Sequence, residues 1–186
     1  FSYFPFNRNP SPIKRRVVSN KLAMNTQELF DKAIELEEND KKLEAIQILK
    51  KLYKNDDDGI HLLVKIAVNY FELGQYDHFK SYAFKYLDAV GIEGKKEKNE
   101  ESKNKFLWFF YHHLGIVYGN ENELNEALKF FQKAIAIKND PNSITYAGKC
   151  YLDLGYEKQA ISFFKTAAKM GHGEAILALN TRGIDI

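Results

Sequence analysis

The chain has 186 residues, 45% hydrophobic and 14% aromatic, which is enough for one domain with a sizeable apolar core. Its single cysteine, Cys150, excludes an intrachain disulfide, and no apolar run reaches the ~18–20 residues that a membrane span needs. The net charge of +2 conceals an asymmetry: residues 1–27 carry Arg8, Lys14, Arg15, Arg16 and Lys21 with no acid, so +5 there leaves −3 for the remainder.

Residues 1–25 form a basic arm, with Pro5, Pro10 and Pro12 interleaved with Phe1, Tyr3, Phe4 and Phe6. Its proline content predicts an extended shape, suited to lying in a groove of this chain or of a second copy, and so to self-association. The alternatives are a nuclear-import or nucleic-acid patch at "PIKRR", a proline-directed kinase site at "SPIK", and a short helix capped by Ser11 that begins at Pro12.

From Ile13 to Asp140 there is no proline, and apolar residues recur at three- and four-residue spacing, which predicts successive helices. Leu29, Ala33 and Leu36, then Leu43, Ile46, Leu49 and Leu52, make one helical pair around "EENDKK". Leu63, Ile66, Tyr70 and Leu73, then Phe79, Ala83 and Leu87, make a second around "LGQYD". A charged insertion at 91–104 is expected to be exposed. "WFFYHHLGIVY" and "LNEALKFFQKAIAI" make the third pair. "PNSITYAGKCYLDLG" and "EKQAISFFKTAAK" make the fourth, with Pro141 at a helix start. A capping helix is expected over 173–181, between glycines.

The pairs keep a common register. The small residue of the first helix falls at Ala33, Ala67, Gly115 and Gly148, at spacings of 34, 48 and 33. Its counterpart in the second helix falls at Ala45, Phe79, Ala127 and Ala160, at the same spacings, and the excess of 14 is the insertion. A period near 34 built of helix–turn–helix units signals a solenoid.

Within that pattern "YHHLGIVY…NEALKFFQKAIAI" and "YAGKCYLDLG…KQAISFFKTAA" resemble the tetratricopeptide repeat family. Leu114, Gly115, Tyr118, Ala127, Phe131 and Ala134 fall on its pattern, as do Gly148, Tyr151, Gly155, Ala160, Phe164 and Ala167. "AAKMGHGEA" looks like a fragment of the related Sel1-like repeat. The resemblance implies an all-α, right-handed α-solenoid over residues 26–181. Its repeats would span about 26–59, 60–90, 106–140 and 141–171. It also implies a concave face lined by the first helix of each repeat.

On that face the expected peptide-binding groove comprises Phe30, Ile34, His61, Val64, Val68, Phe71, Phe109, His112, Ile116, Asn142, Thr145 and Lys149. Some relatives grip a C-terminal carboxylate with cationic residues there. The matching positions here are Phe30, Ile34, Lys65, Phe109 and His113, and Lys65 alone is cationic at neutral pH, so that role does not carry over.

The run Phe106–Tyr111 reads as interior, with Trp108, Tyr111, Leu114, Gly115 and Tyr118 facing the paired helix. His112 and His113 are adjacent and diverge by about 100° on a helix, which suits no single metal ion. "NDDDG" at 55–59 lacks the acidic spacing of a calcium loop and reads as an inter-repeat turn, with Asp58 near a helix start. No nucleophile motif, phosphate-cradling glycine loop or apolar carboxylate pair is present, so no catalytic residue, metal or cofactor is expected.

The sequence therefore predicts a non-enzymatic protein-interaction module, an adaptor or chaperone-like scaffold for an extended or helical apolar peptide. A structural or assembly subunit, whose own contacts fill the groove, is the competing reading. Another protein or peptide is the expected partner, rather than a small-molecule substrate or nucleic acid. The expected location is cytoplasmic, with organelle or nucleus as alternatives set by the arm.

Overall fold

A computed structural model describes residues 20–55, 59–91 and 100–185, with side chains described from Thr26 onward and from Glu101 onward. Among the described residues there are nine helices and no strand. They are α1 (Asn20–Glu38), α2 (Lys42–Lys54), α3 (Ile60–Glu72), α4 (Tyr76–Gly91), α5 (Glu100–Asn120), α6 (Leu124–Ile137), α7 (Pro141–Asp153), α8 (Glu157–Lys169) and α9 (Gly173–Asn180). The chain divides into two compact units, residues 1–62 and 63–186.

In the first unit α1 packs against α2 through Ala33 and Ala45, both with no exposed surface, supported by Ile46, Leu49 and Leu52. α1 begins at Asn20, six residues before the boundary expected at residue 26, so the last part of the basic arm is helical. The helix expected from Pro12 and the cap expected from Asp58 lie outside the described residues.

In the second unit the remaining hairpins pack in chain order, and α9 covers the end of α8. α5 starts at Glu100, so the end of the charged insertion is its first turn. All of the register positions are interior: Ala67, Gly115 and Gly148 on the first helices, and Phe79, Ala127 and Ala160 on the second. The glycines are there for close approach. A Cβ on Gly115 would lie 2.7 Å from the Phe131 ring, and one on Gly148 would lie 2.8 Å from the Phe164 ring. Each aromatic ring thus occupies the volume its partner helix leaves vacant, and both rings are about 1% exposed.

The turns carry a third marker of the same repeat. Asp40, Gly74, Asn122 and Gly155 have φ of 59°, 68°, 61° and 82°, again at spacings of 34, 48 and 33. After each, the next residue donates its backbone N–H five residues back: Lys41 to Leu36, Gln75 to Tyr70, Glu123 to Tyr118 and Tyr156 to Tyr151. This is the left-handed helix cap that closes the orphan carbonyls of the first helix and reverses the chain. Glycine takes that conformation freely, and Asp and Asn tolerate it through their short polar side chains.

The aromatic run is largely interior, with Phe109 5% and Phe110 0% exposed. Phe110 packs on Tyr86 of α4, ring centroids 4.7 Å apart, while Tyr111 and Tyr118 stack on Phe130 of α6 at 6.3 and 5.3 Å. No described helix is long and apolar enough to cross a membrane.

Candidate functional site

The twelve residues expected to line a groove all lie on first helices. On α1, Phe30 and Ile34 are half-buried, and the exposed His61 meets Phe30 edge-on at 6.2 Å. On α3, Val64 is buried while Val68 and Phe71 are half-buried; Phe71 packs its edge on His113 at 4.5 Å and on Phe79 at 5.1 Å. On α5, Phe109 and His112 are buried and Ile116 is half-buried. On α7, Thr145 has no exposed surface, Lys149 is half-buried and Asn142 is exposed.

The row is therefore not uniformly open. Val64, Phe109, His112 and Thr145 are buried beneath the face, and two of them reach the next hairpin: His112 meets Ser143 and Thr145 meets His172. The polar members are committed between hairpins. His112 Nδ1 lies 2.8 Å from Ser143 Oγ, joining α5 to α7, and Ser143 Oγ in turn donates to Asp140 Oδ2 at 3.1 Å. Asp140 also accepts from the Ser143 backbone N–H at 2.9 Å, which caps α7 ahead of Pro141.

At the next junction Thr145 Oγ1 and Asn142 Oδ1 contact the two ring nitrogens of His172 at 2.9 and 3.0 Å, and Lys149 pairs with Glu174 of α9. These side chains tie first helix to first helix. Neither Ser143, Asp140, His172 nor Glu174 was among the residues expected from sequence.

The Asp140–Ser143–His112 chain contains the residue types of a nucleophilic triad, but its bonds run the wrong way. The one Ser143 hydroxyl proton goes to Asp140, so His112 donates to Ser143 rather than accepting from it. Ser143 also has no exposed surface from which to reach a substrate. The arrangement is a strut.

Burial lowers the pKa of His112, with the Lys138 charge adding to this and the Asp140 charge opposing it. Burial beside Phe71 and Phe109, with His112 as neighbour, holds His113 down to about 3 against its bond to the Phe109 carbonyl. Both rings are thus neutral near pH 7.

What remains open is a cavity of about 150 Å³ between α5 and α7, floored by α6. Gly115, Ile116, Phe131 and Tyr146 form its apolar wall, with Phe131 and Tyr146 stacked 5.6 Å apart and 9° from parallel. Gly119, Leu124 and Cys150 continue it, and Asn120, Lys149 and Asp153 stand at its mouth. The Cys150 thiol is pushed up to about 11, first by burial and then by the Asp153 charge, so it adds no anion to the wall. Ile116 and Lys149 were expected here. Gly119, Asn120 and Asp153 were not, although one further helical turn beyond Ile116 and Lys149 reaches them.

The family comparison fits this geometry. The tetratricopeptide repeat model matches residues 110–141 and 147–170, which hold most of α5 through α8. These segments are tetratricopeptide repeats. The stretch likened to a Sel1-like repeat runs from the end of the second segment through the α8–α9 turn into α9. No curated protein matches the sequence.

Among solved structures, MamA is 18% identical with a TM-score of 0.64, covering 81% of both chains. A Podospora anserina chain of nearly identical TPR-like repeats is 13% identical with a TM-score of 0.57, covering 78% of this chain and 74% of that one. The Rap conjugation gene regulator of plasmid pLS20, in complex with a Phr peptide, is 16% identical with a TM-score of 0.54. It covers 84% of this chain and 44% of that one. These likenesses establish the helical-repeat fold that the sequence predicted.

Proposed function

We propose that the chain is a non-catalytic protein-interaction module that holds a segment of a partner polypeptide, extended or helical and largely apolar, against its first helices. One observation carries this reading. Val68, Phe71 and Ile116 keep part of their apolar surface exposed, and an open cavity lies beside Ile116. Partly exposed apolar side chains bordering a concavity favour an occupant that removes them from water. The solved Rap regulator, which is titled as a peptide complex, has the same kind of fold and supports the reading by analogy.

The contact set is narrower than the sequence pattern suggested. Half-buried Val68, Phe71 and Ile116 supply apolar area, and Asn120 and Asp153 supply polar orientation. His112 and Thr145 act from beneath by tying neighbouring hairpins together, and Val64 and Phe109 are buried. An adaptor and a chaperone-like scaffold would both use such a face.

The test is selection of binding peptides from a displayed random library on the purified chain, followed by calorimetry. Ile116→Glu and Val68→Glu should each weaken the selected peptides at least tenfold, while Phe84→Glu, at an exposed position on α4, should not. Peptides that bind all of these variants alike would overturn the proposal.

A further inference from the structure

The cavity between α5 and α7 has a definite size, wall chemistry and charge. Its volume, about 150 Å³, is that of an interior cavity able to admit a benzene ring. Ile116, Leu124 and Tyr146 line the wall, and the buried Phe131 stacks on Tyr146, so an apolar guest would be met by carbon on several sides. Of the two charged residues lining it, Lys149 is paired with Glu174, whereas Asp153 is exposed and makes no ion pair among the described residues. The mouth is therefore net negative.

Gly119 adds an independent indication. A glycine within a helix costs about 1 kcal/mol relative to alanine, and packing does not require this one. A Cβ there would meet only the Ala127 methyl, at an ordinary 3.9 Å. At Gly115 and Gly148, by contrast, an added Cβ would strike an aromatic ring. What the missing side chain at Gly119 leaves free is the volume of the cavity that it lines.

We propose that this cavity is a side-chain pocket for one bulky apolar residue of the partner segment, leucine, methionine or phenylalanine, and that an arginine or lysine next to it pairs with Asp153. The proposal deepens the interaction-face reading above and rests on it. The apolar guest supplies the affinity. The adjacent cation selects the orientation of the segment, since an exposed ion pair contributes little strength but distinguishes like from unlike charge.

The test uses the full chain with methyl-labelled isoleucine and leucine, titrated with N-acetyl-phenylalanyl-arginine amide. The Ile116 and Leu124 methyl signals should shift and saturate. N-acetyl-alanyl-arginine amide should bind about tenfold more weakly or not detectably, and N-acetyl-phenylalanyl-glutamate amide should bind several-fold more weakly. Gly119→Leu, whose side chain would fill the pocket, should abolish the shifts, with Gly119→Ala as the folding control. Asp153→Asn, an exposed change that cannot disturb the core, should erase the preference for arginine over glutamate.

Absence of saturable shifts, shifts that persist in Gly119→Leu, or equal binding of the arginine and glutamate probes would each overturn the proposal. Failure here is distinguishable from failure of the broader reading. Display-selected peptides that lose binding to Ile116→Glu but ignore Gly119→Leu sink the pocket alone. Probes that titrate Ile116 while selected peptides ignore Ile116→Glu sink the face and leave the pocket without that role.

Discussion

Replacing His113 with phenylalanine should flatten the dependence of stability on pH below neutrality. The ring is wedged between Phe71 and Phe109, centroids 4.5 and 4.0 Å away, with His112 at 5.1 Å. Its pKa in the folded chain is about 3 against an ordinary 6.5. Between those values the unfolded chain binds a proton that the folded chain refuses, so stability is fully present above 6.5 and declines as the pH falls through this window. At about pH 5 this one group should remove about 2 kcal/mol, a large share of a typical ~5–15 kcal/mol.

Urea unfolding followed by far-ultraviolet circular dichroism, near pH 7 and near pH 5, measures the difference directly. His112, also depressed, contributes in the same direction, so His113→Phe should retain some dependence while losing the larger part. A variant whose stability falls between the two pH values as steeply as that of the parent would refute the reasoning, whatever its absolute stability.

Further outcomes follow from the packing and the caps. Gly115→Ala and Gly148→Ala should each destabilise by about 1–3 kcal/mol, because the added methyl must displace a fully packed ring. Gly119→Ala should be neutral or stabilising by thermal melting, and a similar loss at all three glycines would contradict the distinction drawn among them. Asp140→Ala should cost about 1–2 kcal/mol by removing the α7 cap and the acceptor of the Ser143 hydroxyl. The same melts should show Asp140→Asn as milder than Asp140→Ala.

Most of the fold was legible because it rests on a recurring local demand. Each hairpin needs a small residue where two helices cross and a large one opposite, and Gly115 with Phe131 and Gly148 with Phe164 meet that demand at fixed offsets in the sequence. The turn residues Asp40, Gly74, Asn122 and Gly155 keep the same period. Gly155 falls on the family pattern, whereas Asp40 and Asn122 in polar turns look ordinary until their φ is seen to be positive.

The candidate site was only half legible, for a physical reason. Spacing along one helix shows which residues share a face. How far a neighbouring helix covers that face depends on inter-hairpin contacts between residues about thirty apart. His112 with Ser143, and Thr145 with His172, are such contacts, and they turned expected ligand contacts into struts. The cavity beside Ile116 extends one turn further along α5 and α7, to Gly119, Asn120 and Asp153. Glycine and short polar residues there carry no periodic apolar signal.

The most direct test of the account is a methyl shift map of the full chain with a display-selected peptide. It should show Val68 and Ile116 moving together and saturating at one peptide per chain, with the outer positions Leu43 and Leu177 unmoved. Shifts confined to those outer positions or to α6 and α8, with Val68 and Ile116 unaffected, would contradict the assignment of the first-helix face as the binding surface.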